Sequence, residues 1–162
     1  MDILKIKFTS FSRFSRVLFF AALTFSYSCW AQEGNSFLLK MDHVAISVKD
    51  VERSVDFYKN ILQLPEITNL TRKEGIRWIS LGDGKELHLV STITAPVTIN
   101  KAVHLAFKSA HFDALVKELE SKKIIYSDWP GILNKITIRA DGIKQIYFQD
   151  PDGYWIEVNS IN

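Results

Sequence analysis

Gly153-Tyr154-Trp155-Ile156-Glu157-Val158-Asn159-Ser160 superposes without a gap on Gly84-Lys85-Glu86-Leu87-His88-Leu89-Val90-Ser91, and each stretch follows an Asp that completes a hairpin turn. The alignment sets His88 at the position of Glu157. A second pairing sets Asp42-His43-Val44-Ala45-Ile46-Ser47-Val48 against Val103-His104-Leu105-Ala106-Phe107-Lys108-Ser109, so His43 and His104 open the two halves. A duplicated half with one ligand-type side chain in its first strand and one in its last brings four such positions together about a pseudo-twofold axis. One shared metal site is the economical expectation.

The first 31 residues read as a leader. Lys5, Lys7, Arg13 and Arg16 precede the apolar run Val17 to Leu23, and Thr24 to Cys29 leads into Trp30-Ala31-Gln32. Cys29 and Ala31 meet the small-residue rule for cleavage before Gln32, and the run is too short and too interrupted by Ser to span a membrane. The signal peptide is placed at 1–31, a short linker at 32–39, and a single domain at 40–162 with modules 40–93 and 101–162. A periplasmic or secreted protein is expected, with an uncleaved anchor or lipid attachment at Cys29 as the alternatives. Cys29 is the only cysteine. Cleavage leaves no thiol, so disulfides and a catalytic cysteine drop out and any metal must be held by nitrogen and oxygen. The net charge of +2 draws on the leader's cations, which leaves the folded part near neutral or slightly acidic and sets nucleic acid aside as a partner.

Along the folded part, Met41 to Val48 alternates, with Val44, Ile46 and Val48 on one face and His43, Ala45 and Ser47 on the other. Asp50 caps a helix on which Val51, Val55, Tyr58 and Leu62 recur before Pro65 stops it. Glu66 to Leu70, Gly75 to Leu81 and Lys85 to Thr92 read as strands, the last two joined by Gly82-Asp83-Gly84, so module one is βαβββ. The order repeats. Ala102 to Lys108 is a strand, and Phe112, Leu115, Val116 and Leu119 form one face of a helix. Ile124 to Ser127, Lys135 to Ala140, Ile143 to Gln149 and Tyr154 to Ser160 follow as strand candidates, with Trp129-Pro130-Gly131 a loop. Which of the first three supplies the second and third strands stays open. The fold class is α+β: two βαβββ modules forming a cupped mixed sheet, helices on the outer face.

Strand parity places the chemistry. Leu87, Leu89, Ile156 and Val158 face the helices, so Glu86, His88, Trp155, Glu157 and Asn159 face the concavity together with His43 and His104. Imidazoles and a carboxylate converging on a partly apolar hollow are costly to desolvate without a cation. The metal ligands expected are therefore His43, His88, His104 and Glu157, with Glu86 the rival of His88 and otherwise a rim group. Trp78, Tyr147 and Trp155 are expected to wall a substrate pocket, and Gln145 and Asn159 to offer it hydrogen bonds.

His43-Val44-Ala45-Ile46, the helix segment Asp56-Phe57-Tyr58 to Leu62-Gln63-Leu64, His104-Leu105-Ala106 and Asp150-Pro151-Asp152-Gly153-Tyr154-Trp155-Ile156-Glu157 resemble the vicinal oxygen chelate superfamily, the glyoxalase/bleomycin resistance/dioxygenase family. The resemblance runs from residue 40 almost to the end. It implies paired modules cupped around one divalent metal, zinc, nickel, cobalt, manganese or iron, with ligands at the positions of His43, His88, His104 and Glu157. His88 stands where the glyoxalase I pattern usually has Glu, and three imidazoles with one carboxylate also differ from the triad of extradiol dioxygenases. The resemblance implies a metal-dependent enzyme, a glyoxalase-like lyase or isomerase acting on a small molecule with adjacent oxygens. Glu157 would be its base, assisted by Glu86. The alternatives are an iron-dependent extradiol-type dioxygenase and a non-catalytic small-molecule binding or resistance protein. A homodimer is expected, and no membrane insertion after processing.

Overall fold

The computed structural model describes residues 38–161. The leader expected at 1–31 and nearly all of the linker lie outside the described residues. By its contacts the chain divides after Lys40, and the unit from Met41 onward carries every element named below.

Module one opens with β1 (His43–Val48), in which Ile46 and Val48 are buried while His43 and Ala45 are exposed, as the alternation predicts. Asp50 then caps α1 (Val51–Asp56), its carboxylate accepting the amides of Glu52 and Arg53 at 3.1 and 3.2 Å. The single amphipathic helix expected to reach Leu62 does not form. After Asp56 the backbone widens into a π-helical turn, Phe57–Ile61, closed by the Leu62 amide on the Phe57 carbonyl and by Gln63 at a left-handed φ of 55°. The wider turn lets consecutive aromatics both face inward. Phe57 packs on Phe148 with ring centroids 6.4 Å apart, and the Tyr58 hydroxyl donates to Asp150 at 2.8 Å.

β2 (Glu66–Ile67), β3 (Ile76–Gly82) and β4 (Lys85–Ser91) complete a sheet of order β1-β4-β3-β2, in which β1 runs parallel to β4. β2 stops well short of the expected Leu70. Asn69 turns the chain there, accepting the Thr71 amide at 2.9 Å and donating to the Ile76 carbonyl at 2.9 Å.

Module two repeats the order with β5 (His104–Ser109), α2 (Phe112–Ser121), β6 (Tyr126–Ser127), β8 (Lys144–Gln149) and β9 (Trp155–Ser160), in the sheet order β5-β9-β8-β6. The stretch Lys135 to Ala140 contributes only β7 (Thr137–Ile138), a two-residue ribbon on β8, so β6 and β8 are the second and third strands. The architecture is α+β with two open mixed sheets.

One core serves both modules. Val48, Tyr58, Ile79, Leu87 and Leu89 from module one cluster with Leu119, Ile146, Phe148, Ile156 and Val158 from module two. The Asp150-Pro151-Asp152-Gly153 turn stitches them together. Asp152 accepts the Lys49 amide at 2.8 Å and the Ser54 hydroxyl at 2.7 Å, and the Tyr154 hydroxyl both accepts from the Ser47 amide and donates to its carbonyl at 3.1 Å. Burial raises the Asp150 carboxyl above its ordinary range despite the bonds from Tyr58 and the amides of Asp152 and Tyr154. The apolar side chains of β4 and β9 thus face the helices, and His88 and Glu157 fall on the other side.

Candidate functional site

β5 and β9 run parallel with Ala106 opposite Glu157, and the small alanine leaves room for His104, two residues earlier on the same face. His104 Nε2 lies 3.1 Å from Glu157 Oε2. The carboxylate is buried yet surrounded by donors. Asn159 Nδ2 reaches Oε1 at 2.5 Å, the Tyr147 hydroxyl of the neighbouring β8 donates to it, and Gln145 bonds both it and, at 3.0 Å, Asn159. Burial pushes the Glu157 carboxyl up, but Tyr147, Asn159, His104 and Gln145 together hold it below the usual carboxylate range. Burial, and then the same contact, push the Tyr147 phenol well up. Glu157 is therefore an anion at neutral pH, and Tyr147 a neutral donor.

The His104 ring is oriented from behind. Its Nδ1 lies 2.8 Å from the Lys101 carbonyl, an oxygen that only accepts, so Nδ1 carries the hydrogen. In the neutral ring Nε2 then presents a lone pair to an ionised carboxylate, two acceptors face to face. Such a contact needs a cation or a second proton between the atoms, and a backbone-anchored imidazole beside a carboxylate is the usual donor arrangement for a divalent metal. This pair fits two adjacent positions of such an ion.

Module one is arranged differently. Strand register sets His88 opposite Ala45 on one side and Trp78 on the other. Its ring lies between those of His43 and Trp78, with centroids 4.2 Å away on both sides and interplanar angles of 10° and 2°. His88 Nε2 is held by Glu86 at 2.7 Å, and His43 Nδ1 by Asp42 at 2.7 Å. A metal lies in the plane of every imidazole that binds it, and two stacked, nearly parallel planes share no such point. The expected gathering of His43, His88, His104 and Glu157 is not what the chain shows. Among the described residues no group of three or more His, Cys, Asp or Glu side chains is set to hold an ion.

The expected pocket residues also divide. Tyr147 and Trp155 line module two, Trp155 donating its indole N–H to the Ile99 carbonyl at 3.3 Å. Gln145 and Asn159 are engaged with Glu157 and are not free to bind substrate. Trp78 is buried beneath His88, with its indole nitrogen unbonded, and so is a floor and not a wall. Missing from the sequence-based expectation are Lys101 and Trp129. Lys101 orients His104 through its carbonyl, and Trp129 meets Tyr147 edge-on at 5.4 Å. Neither carries a sequence signal: a lysine before a strand and a tryptophan in a Pro-Gly loop have no periodicity to betray them. A separate apolar cleft of about 400 Å³, lined by Ile61, Leu64, Phe107, Leu115 and Val158, lies on the helix side of β5, away from these groups.

Known proteins agree with this architecture. The chain is 28% identical over 134 residues to "Glyoxylase I 4" of Arabidopsis thaliana, covering 75% of this chain and 70% of that protein. It is 27% identical over 126 residues to "Metallothiol transferase FosB" of Staphylococcus saprophyticus, covering 74% and 76%. Among solved structures, a glyoxalase/dioxygenase from Nostoc punctiforme superposes with a TM-score of 0.64 at 29% identity, covering 80% of this chain and 94% of that one. Residues 40–158 match the model of one family, and the chain belongs to it: the Glyoxalase/Bleomycin resistance protein/Dioxygenase superfamily.

Proposed function

We propose that the chain is an exported, metal-dependent enzyme of glyoxalase type, a lyase or isomerase acting on a small molecule with two adjacent oxygens. One observation carries this: His104 Nε2 and Glu157 Oε2 meet at 3.1 Å with Nδ1 of the ring already committed to a backbone carbonyl. A divalent cation held by that pair would supply an electrophile for the two substrate oxygens. Glu157 acts as a ligand and not as the base, because its hydrogen bonds stabilise the anion and weaken it as a proton acceptor. The base is Glu86. Its side chain is 30% exposed against 11% for Glu157, and its partner His88 is locked in the ring stack. Glu86 takes the proton from one substrate carbon and returns it to the next, while Tyr147 and Trp155 flank the substrate.

A third donor is His43, whose exposed ring is held by Asp42 and by its stack on His88 and can turn away from both. The two halves complete each other when module one of one copy faces module two of a second, which makes the protein a homodimer. The leader's pattern carries the proposal that the enzyme works in the periplasm or outside the cell.

The test is turnover by the purified protein reloaded with zinc, nickel, cobalt, manganese or iron. Hemithioacetals of 2-oxoaldehydes are offered in one arm, and catechols, with oxygen uptake recorded, in the other. Isomerisation without oxygen uptake is expected. Oxygen uptake with catechols on iron would make the protein a dioxygenase, and ligand retention without turnover would make it a binding protein.

A further inference from the structure

We infer that Lys101 is a positioning residue, a latch that holds the Trp129 loop against the module-two half-site. Its ammonium donates to Ser127 Oγ at 3.0 Å, to the Asp128 carbonyl at 3.0 Å and to the Trp129 carbonyl at 3.3 Å. An ammonium has three donors, and all three are engaged by the loop, so Lys101 is not a receptor for a substrate anion. The same charge sits 4.6 Å from the Trp155 ring centroid and 5.5 Å from that of Tyr147, within reach of cation–π attraction to both. One side chain therefore ties the backbone of the loop to the two rings beneath it.

The tie continues to the site. Trp129 leans edge-on against Tyr147, Tyr147 stands 5.7 Å from the His104 ring and bonds Glu157, and His104 is oriented by the Lys101 carbonyl. The loop itself is stiffened by Asp128, a buried carboxylate that accepts the amides of Gly131 and Ile132 at 2.9 and 2.7 Å and pairs with Lys135 at 3.1 Å. It nonetheless leaves Trp129 about half exposed, with Ile132 and Leu133 more so. A rigid apolar flap is thus anchored at its base by Asp128 and at the site by Lys101. Release of Lys101 frees Trp129 from the wall while the main-chain bond to His104 stays, so the wall and the ligand pair separate in their response to substitution.

The inference rests on the module-two half-site being where substrate is received, and not on a metal being there. Acrylamide quenching of tryptophan fluorescence tests it on the full chain, comparing Lys101→Met with Lys101→Arg, each alone and in a Trp129→Phe background. Lys101→Met is expected to raise quenching by roughly twofold with an unchanged circular-dichroism spectrum, and Lys101→Arg to restore the native value, since a guanidinium can serve the same carbonyls. Most of the increase should vanish in the Trp129→Phe background. Unchanged quenching in Lys101→Met, an increase undiminished by Trp129→Phe, or failure of Arg to rescue would overturn the latch. Should Lys101→Met not fold, Ser127→Ala, which removes one acceptor, is read in its place, with a smaller rise expected and no rise contradicting. A protein that shows the quenching pattern yet binds no metal keeps the latch and loses the proposed enzymatic function.

Discussion

At the scale of the residue, two carboxylates with different surroundings divide the work. Glu157 is buried among Tyr147, Asn159, Gln145 and His104, which keep it ionised, while the Glu86 carboxylate bonds His88 and stands more open. Glu157→Gln should therefore cost metal affinity, and Glu86→Gln should keep the metal and lower kcat by roughly 10²- to 10⁴-fold. Metal analysis and steady-state kinetics on the two variants read this directly, and a metal-replete but inactive Glu157→Gln protein would return the base role to Glu157. That His88 and Glu157 lie on the faces of β4 and β9 turned away from the helices was legible from the repeat alone. How they divide was not, because strand parity fixes the face of a side chain and leaves its χ angles free. His88 lies on the face that parity assigns, but stacks on Trp78 and bonds Glu86.

At the scale of the element, the strands were legible wherever burial imposes period two, as in β1 and β4, and obscure wherever a side chain folds back on its own backbone. Asn69 cuts β2 short by local bonds that no hydrophobic pattern announces, whereas the Trp129 loop that Asp128 ties was already legible from its Pro-Gly pair. The π-helical turn was hidden for a related reason. Phe57 and Tyr58 fit the face of an ordinary helix in sequence, and the bond from Tyr58 to Asp150, far along the chain, accompanies the widened turn. Two outcomes are expected here. Gly153 has φ of 95°, and a Cβ there would come within 2.4 Å of the Val97 carbonyl oxygen. Gly153→Ala should thus destabilise the fold by about 2 kcal/mol or more, measured by denaturant unfolding. A loss under about 0.5 kcal/mol would show that the turn gives way freely. Burial pushes the Asp128 carboxyl up, but the Ile132 and Gly131 amides and Lys135 bring it below the usual range. A depressed folded value contributes stability that is fully present above the ordinary carboxylate range and is lost as pH falls through the lower folded value. Trp129 emission should accordingly shift to the red only in acid below the ordinary carboxylate range in the wild type, whereas the shift should already be present at neutral pH in Asp128→Asn.

At the scale of the whole molecule, one core and one stitched turn join the two modules, and among the described residues no group of three or more His, Cys, Asp or Glu side chains is set to hold an ion. If the halves complete each other between copies, mixing His43→Ala chains with His104→Ala chains should rebuild one intact site per mixed dimer and recover up to about a quarter of wild-type turnover. Each variant alone should be inactive, and no recovery on mixing would place the site within a single chain. The central claim, that His104 and Glu157 hold a divalent ion while the stacked His88 does not, is tested most directly by metal content per chain in the wild type, His104→Ala and His88→Phe. Occupancy should fall at least about tenfold in His104→Ala and stay near the wild-type value in His88→Phe. Full occupancy in His104→Ala, or loss in His88→Phe alone, would contradict the claim.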